Sequence, residues 1–395
     1  MNLILKPARL HGVITPPPSK SQAHRLLIAA ALAGGKSSVL NLADSQDILA
    51  TRRCLEALGE SGPGLPLLDC GESGSTLRFL LPLSLVLRGG GVFSGSGRLM
   101  ERPMEPYAKL CARQGILFAQ RDGTCTVRGT LRPGSFSLAG NISSQFITGL
   151  LYALPLLDGD SEILLTTRLE SGGYVDLTLD TLGRFGVRAD HDGSRRFFVP
   201  GGQRFHPAHA AVEADYSQAA FFCAANALGH TVEIKNLSPR SVQGDRVILD
   251  YTQRLSRPGD VVLDVSQCPD LVPPLALQAA LRSGQTASLV NAGRLRMKES
   301  DRLDTVAGEL GRLGADIVQT ADSLVIRGVD GFHGGVTAQA HNDHRIAMML
   351  GIAATRADAP ITLLDAGCVS KSYPRFWDDY ISLGGFCEEE RVCNT

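Results

Sequence analysis

Lys20, Ser21 and Arg25 stand together in the segment PPSKSQAHR. If this stretch is helical, Ser21 and Arg25 are four residues apart and share one face. The arginine then offers two-point recognition of a carboxylate or phosphate, and the lysine a compact charge. Comparable clusters recur along the chain. Gly71-Glu72-Ser73-Gly74-Ser75-Thr76 resembles a phosphate-cradling turn, with glycines for close backbone approach, although no Lys-Ser/Thr pair closes it as in a Walker loop. GRLMERP (Gly97–Pro103) sets Arg98 and Arg102 ahead of a proline suited to opening the next helix. Ser143-Ser144-Gln145 gathers two hydroxyls and an amide at a helix start. Asp270 follows Cys268-Pro269 at another start, and RMKESDR (Arg296–Arg302) is the densest charge cluster. On a helix, Lys298 and Arg302 would share a face as an anion clamp requires. His344 and Arg345 follow Asn342-Asp343, where a carboxylate or amide can cap while the arginine reaches outward, and Lys371 lies in an expected loop before the last helix.

Each cluster has a bland reading. Solvated charge accounts for Lys20 and Arg25, a tight turn for GESGST, and N-capping for one of the two serines. Ion pairing with Glu299 and Asp301 accounts for Lys298 and Arg302, and a solvated loop for Lys371. The clusters nevertheless share a setting. One theme, a polar opening followed by an Ala/Leu-rich run, begins at Ser19, Glu72, Asn141, Asp215, Ser266 and His341. The runs are apolar nearly all round, as buried helices are. Their openings supply Ser, Asp, Asn or Thr for the free N–H groups of a helix start. If the starts converge, their partial positive charges add, and anions are the expected guests.

A second theme interleaves with the first: LEALG (Leu55–Gly59), Tyr107–Ile116, Leu177–Val187, Leu303–Ile317 and Phe376–Gly385, with a weaker relative at Val247–Leu255. These read as half-exposed helices ending at glycine. Short β-rich pieces lie between helices, among them Thr124–Gly129, Ser161–Thr167, Thr231–Leu237 and Asp322–Gly328. A buried helix, an amphipathic helix and several strands make a unit of roughly 50–75 residues. Six such units are too many for one core, so the expectation is an α/β protein of two pseudo-threefold domains.

Composition sets outer bounds. A formal charge of −1 gives no bulk electrostatic case for nucleic acid. The nine cysteines show no CxxC or Cys/His metal spacing, which predicts reduced thiols in a cytosolic protein. The opening MNLILKPARL has no long apolar core or cleavage pattern, so no secretory signal is expected. The most apolar stretch, Phe79–Leu87, is about half of the ~20 residues a membrane span needs.

The segments PPSKSQAHR, GESGSTLR, GRLMERP, SSQF, SGGYVDLTL, KESDRL, NDHRIAM and CVSKSYP, in this order and over nearly the whole chain, resemble the successive signatures of the EPSP synthase (3-phosphoshikimate 1-carboxyvinyltransferase) family. The resemblance implies a two-domain inside-out α/β barrel, the enolpyruvyl transferase fold. Each domain would have three βαβαββ units with buried parallel helices, and two crossing strands would form the hinge. One domain would span 19–213, the other 1–18 with 214–395. The resemblance further implies transfer of the enolpyruvyl group of phosphoenolpyruvate to the 5-hydroxyl of shikimate 3-phosphate, by a cytoplasmic monomer that needs no metal and no organic cofactor. Lys20, Ser21, Arg25, Ser143, Ser144, Gln145, Ser171, Asp270 and Lys298 match shikimate 3-phosphate contacts. Lys20, Gly74, Arg102, Gln145, Arg302, Arg345 and Lys371 match phosphoenolpyruvate contacts. For that reaction Asp270, at a helix start, is the candidate base toward the hydroxyl, and Glu299 and Lys371 are the candidates for proton traffic at the methylene carbon. A carboxylate among cations stays ionised and a lysine among cations gives up its proton more readily, which favours Lys371 as donor and Glu299 as acceptor at the methylene carbon.

The chain departs from the family pattern in places. Glu72 stands where asparagine is common, and Arg294 replaces a frequent asparagine near the shikimate phosphate, where it would either strengthen phosphate binding or face solvent. Ser61-Gly62-Pro63-Gly64 replaces a hairpin, which predicts a trimmed unit. Two alternatives stand beside the main reading. One is enolpyruvyl transfer to UDP-N-acetylglucosamine on the same fold, which normally has Lys-Asn at Lys20-Ser21 and a reactive loop cysteine, whereas Cys111 falls in an expected helix. The other is a non-catalytic anion-binding relative.

Overall fold

The computed structural model of the protein describes residues 1–193 and 195–390. The chain divides into two compact units, Met1–Pro17 with Ala214–Thr395, and Pro18–Glu213. Strands β1 (Leu3–Lys6) and β2 (His11–Ile14) precede helix α1 (Lys20–Leu32), β3 (Ser38–Leu40) and α2 (Gln46–Gly59). Then come β4 (Leu67–Asp69), α3 (Gly74–Arg88), β5 (Gly90–Ser94), α4 (Glu105–Gln114), β6 (Leu117–Arg121) and β7 (Thr124–Arg128). The same order repeats in β8 (Ser135–Leu138), α5 (Ser144–Ala153), β9 (Ser161–Leu165), α6 (Gly172–Arg184), β10 (Asp190–His191) and β11 (Arg196–Val199). After β12 (His209–Ala211) follow α7 (Tyr216–Ala227), β13 (Thr231–Ile234) and α8 (Ile248–Leu255). Two further rounds are β14 (Val261–Asp264), α9 (Val272–Ala280), β15 (Thr286–Val290), α10 (Arg302–Arg312), β16 (Asp316–Gln319) and β17 (Leu324–Arg327), and β18 (Thr337–Gln339), α11 (His344–Ala354), β19 (Ile361–Leu364), α12 (Phe376–Ser382) and β20 (Phe386–Glu389).

The repeat is thus visible, but not all copies are whole. Among the described residues four sheets have four strands, in the orders β4-β5-β7-β6, β8-β9-β11-β10, β14-β15-β17-β16 and β18-β19-β1-β20, where β1 supplies the strand that the last repeat lacks. The remaining sheet in each unit has only two, parallel, strands: β3 with β12, and β2 with β13. After α2 the chain runs through Ser61-Gly62-Pro63-Gly64 straight to β4, and after α8 through Arg257-Pro258-Gly259 straight to β14. Neither stretch is long enough to hold two strands and a turn. The exchange of β2 and β12 marks where the chain passes between units: Asp215 N–H donates to the Pro17 carbonyl at 2.9 Å in one, and Ser19 N–H to the Glu213 carbonyl at 2.7 Å in the other.

The Ala/Leu-rich helices are sheathed by protein. All of α9 and α11 is buried, as is α7 up to Ala225. In the Pro18–Glu213 unit, α3 and α5 pack with almost no space between them. Pro82 inside α3 has no N–H for the Arg78 carbonyl four residues back. The Tyr107 hydroxyl from α4 fills the vacancy, 2.7 Å from the Arg78 oxygen and 3.1 Å from that of Phe146. A Cβ at Gly149 of α5 would fall 2.3 Å from that same Arg78 oxygen, so only glycine permits the approach.

Five of the six buried helices have the expected side-chain cap: Ser19, Ser73, Ser143, Asp215 and Asp343 accept from first-turn N–H groups. The exception is α9. A 3₁₀ turn, Pro269–Leu271, intervenes after Ser266, and α9 has no side-chain cap. Pro273 and Pro274 in its first turn lack N–H groups, which lessens the need. Pro103 likewise does not open a helix; α4 starts at Glu105 with Pro106 in its first turn. Among the described residues no helix is long and apolar enough to cross a membrane.

Candidate active site

In the Pro18–Glu213 unit, the helix starts hold two linked polar groups. Arg25 is buried on α1 and held by four hydrogen bonds: Nε donates to Thr178 Oγ1 at 2.8 Å, Nη1 to the Ser21 carbonyl at 2.7 Å, and Nη2 to the Tyr174 carbonyl at 2.8 Å and Thr148 Oγ1 at 3.3 Å. Burial pushes its guanidinium down to about 10, against the opposing effect of nearby Tyr152 and Tyr174. Lys20 Nζ lies 2.6 Å from Asp47 Oδ2 on α2. Ser171 precedes α6, buried, with a φ of 56°.

The second group surrounds Gly74, the first residue of α3. A Cβ there would sit 2.9 Å from Arg102 Nη1, 3.3 Å from Arg78 Nη1 and 3.5 Å from Gln145 Oε1. Glycine therefore lets two guanidiniums and an amide close on one helix end, where the dipole and free N–H groups favour an anion. Gln145 is oriented by Arg78, whose Nη1 donates to its Oε1 at 2.6 Å, and by its own Nε2 bond to Ser75 Oγ at 3.0 Å. Ser143 caps α5 and Ser144 is its first residue, which brings both beside Gln145.

In the unit containing Ala214–Thr395, Asp270 is the hub. Its Oδ1 lies 2.9 Å from Arg302 Nη1 and 3.6 Å from Lys298 Nζ, and its Oδ2 lies 3.0 Å from Arg345 Nη2. Burial alone would push the carboxyl up; Arg345, Lys298 and Arg302 outweigh it and hold it well below the ordinary carboxylate range. Arg302, with a side chain only 1% exposed, also binds Glu299 Oε2 at 2.6 Å and Asp343 Oδ2 at 2.9 Å. Burial and the neighbouring Arg302 and Arg294 lower Lys298, with Asp270 opposing them. Arg345 additionally donates to Ser217 Oγ at 3.0 Å. Lys371 donates to the Asn342 carbonyl at 2.6 Å, just ahead of the Asp343 cap.

Lys298 and Arg302 do meet, but not on one helix face. A 3₁₀ turn ends at Met297, Lys298 is extended, and Asp301 caps α10, of which Arg302 is the first residue. The anticipated pairing of Arg302 with Glu299 exists alongside the cluster. Lys371 ends a 3₁₀ turn, Ala366–Lys371, and is buried rather than solvated. Arg294 does not face solvent: it is buried and donates to the Ser266 carbonyl at 2.5 Å. Sequence reasoning passed over Asp47, Arg78, Thr148, Thr178 and Ser217. Arg78 carried a signal, since it lies four residues past Gly74 and so shares its helical face.

The EPSP synthase (3-phosphoshikimate 1-carboxyvinyltransferase) family model matches residues 4–380. The chain is 43% identical to a 3-phosphoshikimate 1-carboxyvinyltransferase of Clostridium beijerinckii, over 99% of each chain, and 42% identical to one of Clostridioides difficile, over 98% of each. Its fold is similar to that of an EPSP synthase from Acinetobacter baumannii, with a TM-score of 0.80 at 24% identity over 98% of this chain and 100% of the other. An enolpyruvyl transferase, NikO, from Streptomyces tendae has a TM-score of 0.76 at 17% identity over 98% of each chain. With the family model and these relatives covering nearly all of its length, the chain belongs to the EPSP synthase family.

Proposed function

We infer that this enzyme transfers the enolpyruvyl group of phosphoenolpyruvate to the 5-hydroxyl of shikimate 3-phosphate, releasing phosphate, on the shikimate pathway to chorismate and the aromatic amino acids. Beyond family membership, the observation that carries this reading is Asp270, one carboxylate gripped by Arg302, Arg345 and Lys298. Three cations on one acidic group suit a site whose guests are polyanions. Incoming anions would draw the cations off, and Asp270 would then become more basic as its partners are neutralised.

In the chemistry that follows, the 5-oxygen attacks C2 of phosphoenolpyruvate while Asp270 takes its proton, and a proton is delivered to C3. The tetrahedral adduct then breaks its bond to phosphate as a proton leaves the new methyl group, which restores the double bond. Lys371 is assigned as donor to C3 and Glu299 as acceptor from it. The residues assigned to phosphoenolpyruvate are Lys20, Gly74, Arg102, Gln145, Arg302, Arg345 and Lys371. Lys20, Ser21, Arg25, Ser143, Ser144, Gln145, Ser171, Asp270 and Lys298 hold the acceptor. The enzyme is read as a cytoplasmic monomer; the cysteines among the described residues are all free thiols, in keeping with a reducing compartment.

Transfer to UDP-N-acetylglucosamine is disfavoured by Cys111. It is buried in α4, and burial pushes its thiol up to about 11, unlike a reactive loop thiolate. Phosphate release with phosphoenolpyruvate plus shikimate 3-phosphate, and none when UDP-N-acetylglucosamine replaces the acceptor, is the expected result. Equal release with both acceptors, or none with either from folded protein, would overturn the reading.

A further inference from the structure

We propose that a buried hydrogen-bond chain, His24–Thr51–Thr76–Ser73, sets the anion-binding turn at Gly71–Gly74, which makes these four positioning residues for phosphoenolpyruvate. The proposal rests on the assignment of that turn to phosphoenolpyruvate above. The chain crosses three elements. His24 on α1 lies 2.7 Å through Nδ1 from Thr51 Oγ1 on α2, and Thr51 Oγ1 lies 2.6 Å from Thr76 Oγ1 on α3. Thr76 Oγ1 donates to Ser73 Oγ, the α3 cap, at 2.7 Å. All four residues are sealed from solvent, none more than 1% exposed.

The bonds can run in only one direction. Thr76 spends its single hydroxyl hydrogen on Ser73, so it must accept from Thr51. Thr51 then has no hydrogen left and must accept from His24. The imidazole therefore carries its proton on Nδ1. Burial, with Lys20 and Arg25 nearby, holds it well below its ordinary value and so neutral. Among the described residues its Nε2 has no hydrogen-bond partner, and the ring packs edge-on against Phe79 with centroids 6.3 Å apart. A bare nitrogen acceptor is the better atom to leave there, since the alternative tautomer would strand an N–H donor and reverse every bond in the chain.

The output of the chain is the cap. Ser73 Oγ receives both the Thr76 hydroxyl and the Thr76 N–H, the latter at 3.2 Å. That removes one donor of the first turn and leaves the Gly74 and Ser75 N–H groups, which have no carbonyl within their own helix, at the end where Arg102, Arg78 and Gln145 converge. His24 is next to Arg25 and one turn beyond Lys20. The helix assigned to the acceptor is thus tied through closed bonds to the turn assigned to the donor.

Thr51→Val preserves shape and cuts the chain. It should raise KM for phosphoenolpyruvate about three- to tenfold, leave kcat within about twofold and leave KM for shikimate 3-phosphate unchanged, while Thr51→Ser restores the parent values. Combined with Ser73→Ala, the effects on KM should be non-additive, because each change alone interrupts the same chain. A lower melting temperature with an unchanged phosphoenolpyruvate KM, or fully additive effects, would overturn the proposal. If Thr51→Val does not fold, Thr76→Val cuts the chain one bond further on and is held to the same outcomes. Calorimetric titration with inorganic phosphate probes the turn without turnover. A parent that binds phosphate but transfers nothing would defeat the functional reading, and the chain would still be judged by whether Thr51→Val weakens phosphate binding; unchanged affinity would overturn it.

Discussion

Arg302 Nη1 donates to Asp270 Oδ1 at 2.9 Å, which joins the group assigned to deprotonate the acceptor to a group assigned to hold phosphoenolpyruvate. With its side chain 1% exposed and carboxylates from Asp270, Glu299 and Asp343 around it, Arg302 is held firmly charged, pushed above its ordinary value despite the opposing effect of burial. A direct ion pair thus couples a group assigned to phosphoenolpyruvate binding with the carboxylate assigned to the first proton transfer.

Arg25 should matter to both folding and binding. Its guanidinium satisfies the Ser21 and Tyr174 carbonyls and two threonine hydroxyls, so Arg25→Ala should lower the melting temperature. It should also weaken shikimate 3-phosphate binding ~10- to 100-fold through loss of a charge-assisted bond. Titration with shikimate 3-phosphate alone, beside a thermal melt, separates the two effects. An unchanged dissociation constant would remove Arg25 from the acceptor site.

The packing of α3 on α5 leads to a stability prediction. Tyr107→Phe deprives the Arg78 and Phe146 carbonyls of their shared donor, and Pro82 leaves the first of these with no helical substitute. A cost of about 1–3 kcal/mol is expected in denaturant unfolding. A midpoint equal to that of the parent would mean that these carbonyls find another partner.

Much of this arrangement was legible because helix starts are local. Ser19, Ser73, Ser143, Asp215 and Asp343 sit where a cap is needed, and the buried runs behind them have no polar face to misread. Proline and charge spacing were less reliable guides. Pro103 could have opened a helix, but α4 starts two residues later at Glu105, and the four-residue spacing of Lys298 and Arg302 imitated a helix face across the Asp301 cap that separates them. The partners that orient the site were not legible. Asp47 for Lys20, Arg78 for Gln145, Asp343 for Arg302 and Ser217 for Arg345 come from other elements, and no local pattern announces a pairing across 27 to 128 positions.

A pH prediction follows from His230. Its Nδ1 accepts from the Leu10 N–H at 3.1 Å and so carries no proton, while Nε2 lies 2.8 Å from Thr355 Oγ1. Burial, then the charges of Arg356 and Arg9, push the ring down to about 4 from 6.5. Because the folded value is the lower one, stability from this group is complete above about pH 6.5 and drains away as pH falls toward 4. His230→Asn should flatten the dependence of melting temperature on pH within that window. Parallel curves for variant and parent would contradict it.

The most direct test of the central claim, that Asp270 takes the proton of the attacking hydroxyl from within its cage of cations, is a single-turnover measurement on Asp270→Asn with binding constants determined separately. The substitution keeps the shape and removes the proton acceptor. The chemical step should slow by about 10²–10⁴ while the affinities for both substrates change far less. Transfer at nearly the parent rate would place the base elsewhere, with Glu299 the first candidate.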